Sequence, residues 1–151
     1  MSQTKYDQRT EQHIASLQPD FAERVRQWLA QCRQQGLNPY VHFGSRSLEK
    51  QRELRAEYLA GKGPRAVDPD RSYHCYGRAI DWVNITNPDT GDAGLAWNDN
   101  AAYAKGTQIG AQFQVVGIGS CDNDHLQDAR FGSYVDLPGS EFGSFPGTLA
   151  T

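Results

Sequence analysis

Ser72-Tyr73-His74-Cys75-Tyr76-Gly77-Arg78-Ala79-Ile80-Asp81 is the stretch on which the reading of this chain turns. It offers an imidazole at His74 and a carboxylate at Asp81, with a turn residue, Gly77, between them. From Ala79 to Val83 the residues alternate and favour β structure, so a strand is expected with Asp81 near its start. Ala79, Asp81 and Val83 then share one face, and Ile80 and Trp82 the other. A carboxylate among small apolar residues needs a partner, because an unpaired buried charge is costly. An Arg or Lys would serve, and so would a metal ion. Zinc takes His nitrogens and Asp oxygens, and a catalytic zinc needs three protein ligands plus an open position for water. Downstream, Cys121-Asp122-Asn123-Asp124-His125 supplies a third candidate ligand, His125. Asp122, three residues before it, is spaced to act as a base on that water.

Taken together, Ser72, His74, Gly77, Ala79, Asp81, Asp122 and His125 form a pattern, Ser-x-His-x-x-Gly-x-Ala-x-Asp followed by Asp-x-x-His. The pattern resembles the zinc D,D-carboxypeptidase and L-alanyl-D-glutamate endopeptidase family, whose members cut the peptides of bacterial cell walls. The resemblance extends over roughly residues 17–130. It implies Zn2+ held by His74, Asp81 and His125, and Asp122 as general base and then general acid. It also implies substrate contacts from Arg46, Gln51 and Ser72, because Gly44-Ser45-Arg46-Ser47 followed by Gln51 matches the family's Gly-x-Arg-Ser and helix Gln. Arg46 would polarise the scissile carbonyl or bind a substrate carboxylate. Ser45 stands where the family usually has an aromatic, and Leu126 where the endopeptidases have one after the His. The carboxypeptidase-type Glu base and Trp-His-x-Arg-Tyr signature are absent. The implied partner is therefore a peptidoglycan stem peptide, cut between L-Ala and D-Glu as small phage lysins do. A D,D-carboxypeptidase or dipeptidase of the same family is the alternative.

Composition sets the frame for this reading. The 151 residues suit one small domain with a modest core, and 38% are hydrophobic. A formal charge of −3 gives no basic surplus for nucleic acid, and no apolar run approaches a membrane span. A monomer is expected. Met1 to Thr10 is polar, without the apolar segment of a secretory signal. A wall-directed enzyme of this kind would be made in the cytoplasm and reach the wall by release or by another export system. Cys32, Cys75 and Cys121 make no disulfide framework. Cys32 reads as core, while Cys75 and Cys121 are expected as thiols, a disulfide between them being the alternative.

Along the chain, residues 1–14 read as a polar arm, 15–135 as the peptidase domain and 136–151 as a Gly/Ser/Pro-rich tail. A helix is expected from Ser16 to Gln35, with Leu17, Phe21, Val25, Trp28, Leu29 and Cys32 on one stripe. Tyr40 to Phe43 reads as a strand in which His42 is a sheet residue. Ser47 reads as the N-cap of a helix running to about Ala60, and Arg65, Asp68 and Asp70 as solvated loop residues. Asn87 to Asp92 is expected to be a turn-rich loop. Asn98 is expected to cap a weaker helix to about Gln112, with Trp97 as its core anchor. Gln114 to Ile118 would be a strand delivering Asp122 and His125 at its end, with Asp124 pointing the other way, in a structural role or supporting the ligands from behind.

The expected fold is α+β, a single domain with a largely antiparallel sheet carrying the site and helices packed on it. The resemblance places it with the Hedgehog/D,D-peptidase fold. Hedgehog signalling domains keep a similar zinc site but act by binding, so a non-catalytic zinc-containing binding module is the rival from another class. A wall-binding module without metal is a further one.

Overall fold

The computed structural model describes residues 5–46, 48–64, 66, 72–86, 94–119 and 123–130. Ser47, Arg65, Asp68, Asp70, the 87–92 turn, Cys121, Asp122 and the tail from 131 lie outside these residues.

Two helices open the chain, α1 (Lys5–Ala15) and α2 (Pro19–Gln34). Strand β1 (Pro39–Phe43) and helix α3 (Leu48–Leu59) follow. A 3-10 turn (Tyr73–Tyr76) leads into β2 (Ala79–Thr86) and the short β3 (Gly94–Leu95). Helix α4 (Asn100–Ala111) then precedes β4 (Val115–Gly117) and β5 (His125–Asp128). The strands form one sheet in the order β1-β2-β5-β4, with β3 also on β2, and every pairing is antiparallel. This is the expected α+β architecture.

The core lies between one sheet face and helices α1, α2 and α4. The predicted stripe Leu17, Phe21, Val25, Trp28, Leu29 and Cys32 is buried throughout, with Pro19 opening α2 and Gly36 at φ 89° past its end. Trp28 and Tyr103 each meet the Trp82 ring edge-on at 5.3 Å, so α2 and α4 are keyed to β2 through one indole. Ile80 and Trp82 face this core, as the alternation predicts. Tyr40, Val83 and Ile85 cluster separately, with Tyr6 and Leu95. The opposite face of β2 thus carries Asp81 at one end and this small apolar cluster at the other.

Three expectations need correction. Residues 5–14 are not an arm but most of α1, whose Thr10 and Ile14 are buried. Tyr6, Thr10 and Ile14, four apart, form a narrow inward stripe, and the Thr10 hydroxyl accepts from Val41 N at 3.2 Å. A polar residue in the middle of that stripe hides it from hydrophobic pattern reading. Asp99, not Asn98, caps α4, its Oδ1 accepting from Ala102 N at 3.1 Å. Trp97 is 48% exposed and packs on His42 instead of anchoring the core, a role Trp82 and Tyr103 fill.

Candidate metal centre

Antiparallel register brings the two halves of the motif together. Asp81 on β2 stands opposite His125 at the first position of β5, and Asp81 is also paired with Phe43 on β1. His125 therefore opens its own strand, β5; β4 does not carry it as the sequence reading expected, but is the neighbour on which β5 pairs. His74 comes from the 3-10 turn, which ends at Gly77 with φ 69°, a left-handed conformation that glycine adopts without strain. The turn is tied to the segment after β1 by Arg46 N donating to His74 O at 3.0 Å.

Three donor atoms converge. His74 Nε2 lies 3.2 Å and His125 Nδ1 3.3 Å from Asp81 Oδ1, and the three ligand atoms lie within 4.8 Å of one another. The outer nitrogen of each imidazole is engaged. His74 Nδ1 donates to Gly44 O at 2.8 Å, and His125 Nε2 donates to Gln127 Oε1 at 2.9 Å. With protons on those nitrogens, lone pairs on the inner ones face a carboxylate oxygen. Asp81 Oδ1 is buried and has no hydrogen-bond partner among the described residues. Three lone-pair donors turned on one another repel unless a cation lies between them. Ligands at 2.0–2.2 Å on a tetrahedral zinc are roughly 3.3–3.6 Å apart, which the two contacts to Asp81 approach. The residues present fit a zinc ion, and the Gly44 and Gln127 oxygens supply the outer hydrogen bonds that orient metal-bound histidines.

The protonation states agree with this. Burial lowers the pKa of His74, against the pull of Asp81 beside it, so the imidazole is neutral and its lone pair available. Burial by itself would raise the Asp81 carboxyl, but in the metal-free site an imidazole that takes up a proton, at His74 or His125, outweighs it and holds the group well below the usual carboxylate range.

Around the cluster is a cavity of about 500 Å3. Arg46 enters it from just past β1: its guanidinium donates to Gln51 Oε1 at 2.8 Å, lies 3.6 Å from Asp81 Oδ2 and stacks on the Phe43 ring at 4.8 Å. Gln51, on α3, is 1% exposed. Ser72 is buried, lines the cavity and hydrogen-bonds the buried Cys75 thiol. The structure thus assembles Arg46, Gln51, Ser72, His74, Asp81 and His125 at one place. Asp122 lies outside the described residues.

Two more residues line the cavity: Asp124, whose direction differs from the sequence reading, and His42, a sheet residue of β1 as expected. Asp124 lines the cavity and pairs with His42, Nε2 to Oδ2 at 3.5 Å, and so is not turned away. The turn before β5 places Asp124 beside Trp82, whose N–H its carbonyl accepts at 3.0 Å, and no local pattern shows that geometry.

No family model matches the sequence, and no curated protein matches it. Solved structures do. One is an L-Ala D-Glu endopeptidase of Serratia marcescens, ChiX, which is 22% identical. That match covers 79% of this chain and 85% of the other, with a TM-score of 0.57. Another is the vancomycin-resistance D,D-pentapeptidase VanY from a VanB-type resistance cassette, solved as a mutant in complex with Zn(II) and 20% identical. Here 75% of this chain and 72% of the other are covered, with a TM-score of 0.56. The D,D-peptidase fold implied by the motifs is the fold of this chain.

Proposed function

We propose that this chain is a zinc-dependent peptidase that hydrolyses an amide bond in the stem peptides of bacterial peptidoglycan, between L-Ala and D-Glu. The carrying observation is the convergence of His74 Nε2, Asp81 Oδ1 and His125 Nδ1, each imidazole held from behind by an oxygen. Zinc bound there supplies Lewis acidity, lowering the pKa of water toward about 7 and polarising a carbonyl.

The remaining work belongs to the chain's own residues. Asp122, three residues before His125, takes the proton of the attacking water and passes it to the leaving nitrogen. Arg46, fixed by Gln51 and Phe43, presents a guanidinium to the developing oxyanion or to a substrate carboxylate. Ser72 adds a wall of the cavity beside His74. No Ser or Cys nucleophile is required, and the Cys75 thiol is held protonated by burial. The protein would act at the cell wall or in the periplasm, as a monomer. No helix among the described residues is long and apolar enough to cross a membrane.

The likeness to a D,D-pentapeptidase favours one alternative, loss of a terminal D-Ala. A zinc-containing binding module is the rival outside catalysis, and Asp122 separates them, since binding needs no base. The Asp122→Ala variant, zinc-loaded, is expected to retain zinc and lose about 100- to 10,000-fold in cleavage rate. Cleavage at the parent rate would remove Asp122 from the mechanism.

A further inference from the structure

Gln127 is the third residue of β5, two places after His125, so both side chains stand on the cavity face of the sheet. Leu126 and Asp128, which alternate with them, are fully buried on the other side. The strand order β1-β2-β5-β4 sets Gln127 on one side of Asp81 and Arg46, which follows β1, on the other. Both line the cavity, and Gln127 is half-buried.

The direction of the Gln127 amide is fixed by the ligand cluster. His125 turns Nδ1 to Asp81 Oδ1, so a neutral ring whose Nδ1 lone pair faces a cation carries its proton on Nε2. That N–H requires an acceptor, and Gln127 Oε1 stands 2.9 Å away. A carboxamide is planar and carries its oxygen and its NH2 group on opposite sides. With the oxygen engaged by His125, the two N–H donors of Gln127 are turned away from the imidazole. They make no hydrogen bond among the described residues. Donors of this kind are met by water or by an acceptor oxygen that enters the cavity.

We infer that Gln127 serves the ligand cluster and the substrate at once. Its Oε1 positions His125, and its NH2 group donates to a carbonyl or carboxylate oxygen of the bound peptide. A peptide lying over His74, Asp81 and His125 is then held from two sides, by the Arg46 guanidinium and by a neutral donor at Gln127. The peptide as ligand rests on the peptidase reading; the direction of the donors follows from the geometry around His125.

Two variants separate the roles. Gln127→Glu keeps an oxygen for His125 Nε2 and removes both donors, whereas Gln127→Met removes oxygen and donors together without adding charge. The probe is a soluble disaccharide-linked stem peptide containing the L-Ala–D-Glu bond, offered to the proteins at saturating zinc. It is read as KM where it is turned over and as Kd by calorimetry where it is not. Either constant is expected to rise about three- to tenfold in Gln127→Met, and about tenfold or more in Gln127→Glu, where a charge faces the acceptor oxygen. Zinc affinity should fall about tenfold or more in Gln127→Met and stay within about threefold of the parent in Gln127→Glu. Parent KM or Kd in both variants would overturn the substrate contact, and so would a rise confined to Gln127→Glu, which charge repulsion alone explains. Equal zinc loss in the two variants would overturn the positioning through Oε1. Weakened peptide binding in both variants, with no cleavage of peptidoglycan by the parent, would sink the peptidase reading and leave the Gln127 contact standing. Cleavage by the parent with KM unchanged in the variants would do the reverse, and a parent that does not bind the peptide would overturn both.

Discussion

His74 Nδ1 lies 2.8 Å from the carbonyl oxygen of Gly44, which ties the ligand-bearing turn to the end of β1 and sets which imidazole nitrogen faces Asp81. Gly44 has no room to be anything else. A Cβ there would collide with the carbonyl oxygen of His13 and crowd Ser16 Oγ, so Gly44→Ala must shift the carbonyl that holds His74. We expect zinc affinity to fall by about tenfold or more and stability by about 1–3 kcal/mol. Chelator competition and urea unfolding measure the two. Unchanged affinity would remove the Gly44 carbonyl from the account.

Zinc binding should be lost in acid, and the direction follows from the ligands. Asp81 is held ionised by the imidazoles, so the protons that compete with zinc are those of the histidines. His74 has a lowered pKa in the folded state, so the stability it contributes is present above its ordinary value of about 6.5 and lost as pH falls. Affinity should therefore be flat above about pH 6.5 and decline below it. Titration of zinc at a series of pH values checks this, and affinity that rises on acidification contradicts it.

Asp128, at the far end of the strand that begins with His125, is fully buried and faces Arg24 at 2.7 Å, Arg78 at 2.8 Å and Arg130 at 3.4 Å. Asp20 joins the group from α2 through Arg78 and Arg130. Removing the central carboxylate takes the ion partner from Arg24 and leaves Asp20 as the anion beside the buried Arg78. Asp128→Ala is expected to cost about 3–5 kcal/mol in denaturant unfolding. A loss under about 1 kcal/mol would mean that the arginines find other partners.

Burial pushes the Cys32 thiol up to about 12 and the Cys75 thiol up to about 11. Both should resist maleimide at pH 8 in the folded protein and react once it is unfolded; peptide mapping reads them apart from Cys121. The sign for stability is fixed by the same shifts. Each thiol contributes stability that is fully present below the unfolded value of about 8.5 and is lost as pH rises through the folded value. Alkaline unfolding should steepen between about pH 9 and 12. Rapid labelling of Cys75 at pH 8 would show that the ligand turn opens readily.

Much of the site was legible because its chemistry is local. His74 and Asp81 are joined by one turn and one strand, and the alternation from Ala79 to Val83 already assigns Asp81 its face. The stripe of α2 was legible for the same reason, since its periodicity lies within one helix. What escaped depends on contacts between distant segments. Helix α1 was hidden because Thr10 satisfies β1 through a hydrogen bond instead of apolar packing. Gly106, a poor helix former in the middle of α4, is where the Trp82 ring lies against the helix and a Cβ would not fit. His42 looked like an ordinary strand residue because the bulge beside it is a feature of pairing with β2.

The central claim is zinc-dependent peptide cleavage at His74, Asp81 and His125, and mass spectrometry of fragments released from purified peptidoglycan tests it most directly. With zinc present, new L-Ala carboxyl and D-Glu amino ends are expected, abolished by a chelator and by Asp81→Asn. Loss of terminal D-Ala alone would move the cut to the D,D-carboxypeptidase bond. No release by a folded, zinc-loaded protein would contradict the account and make the binding module the better description.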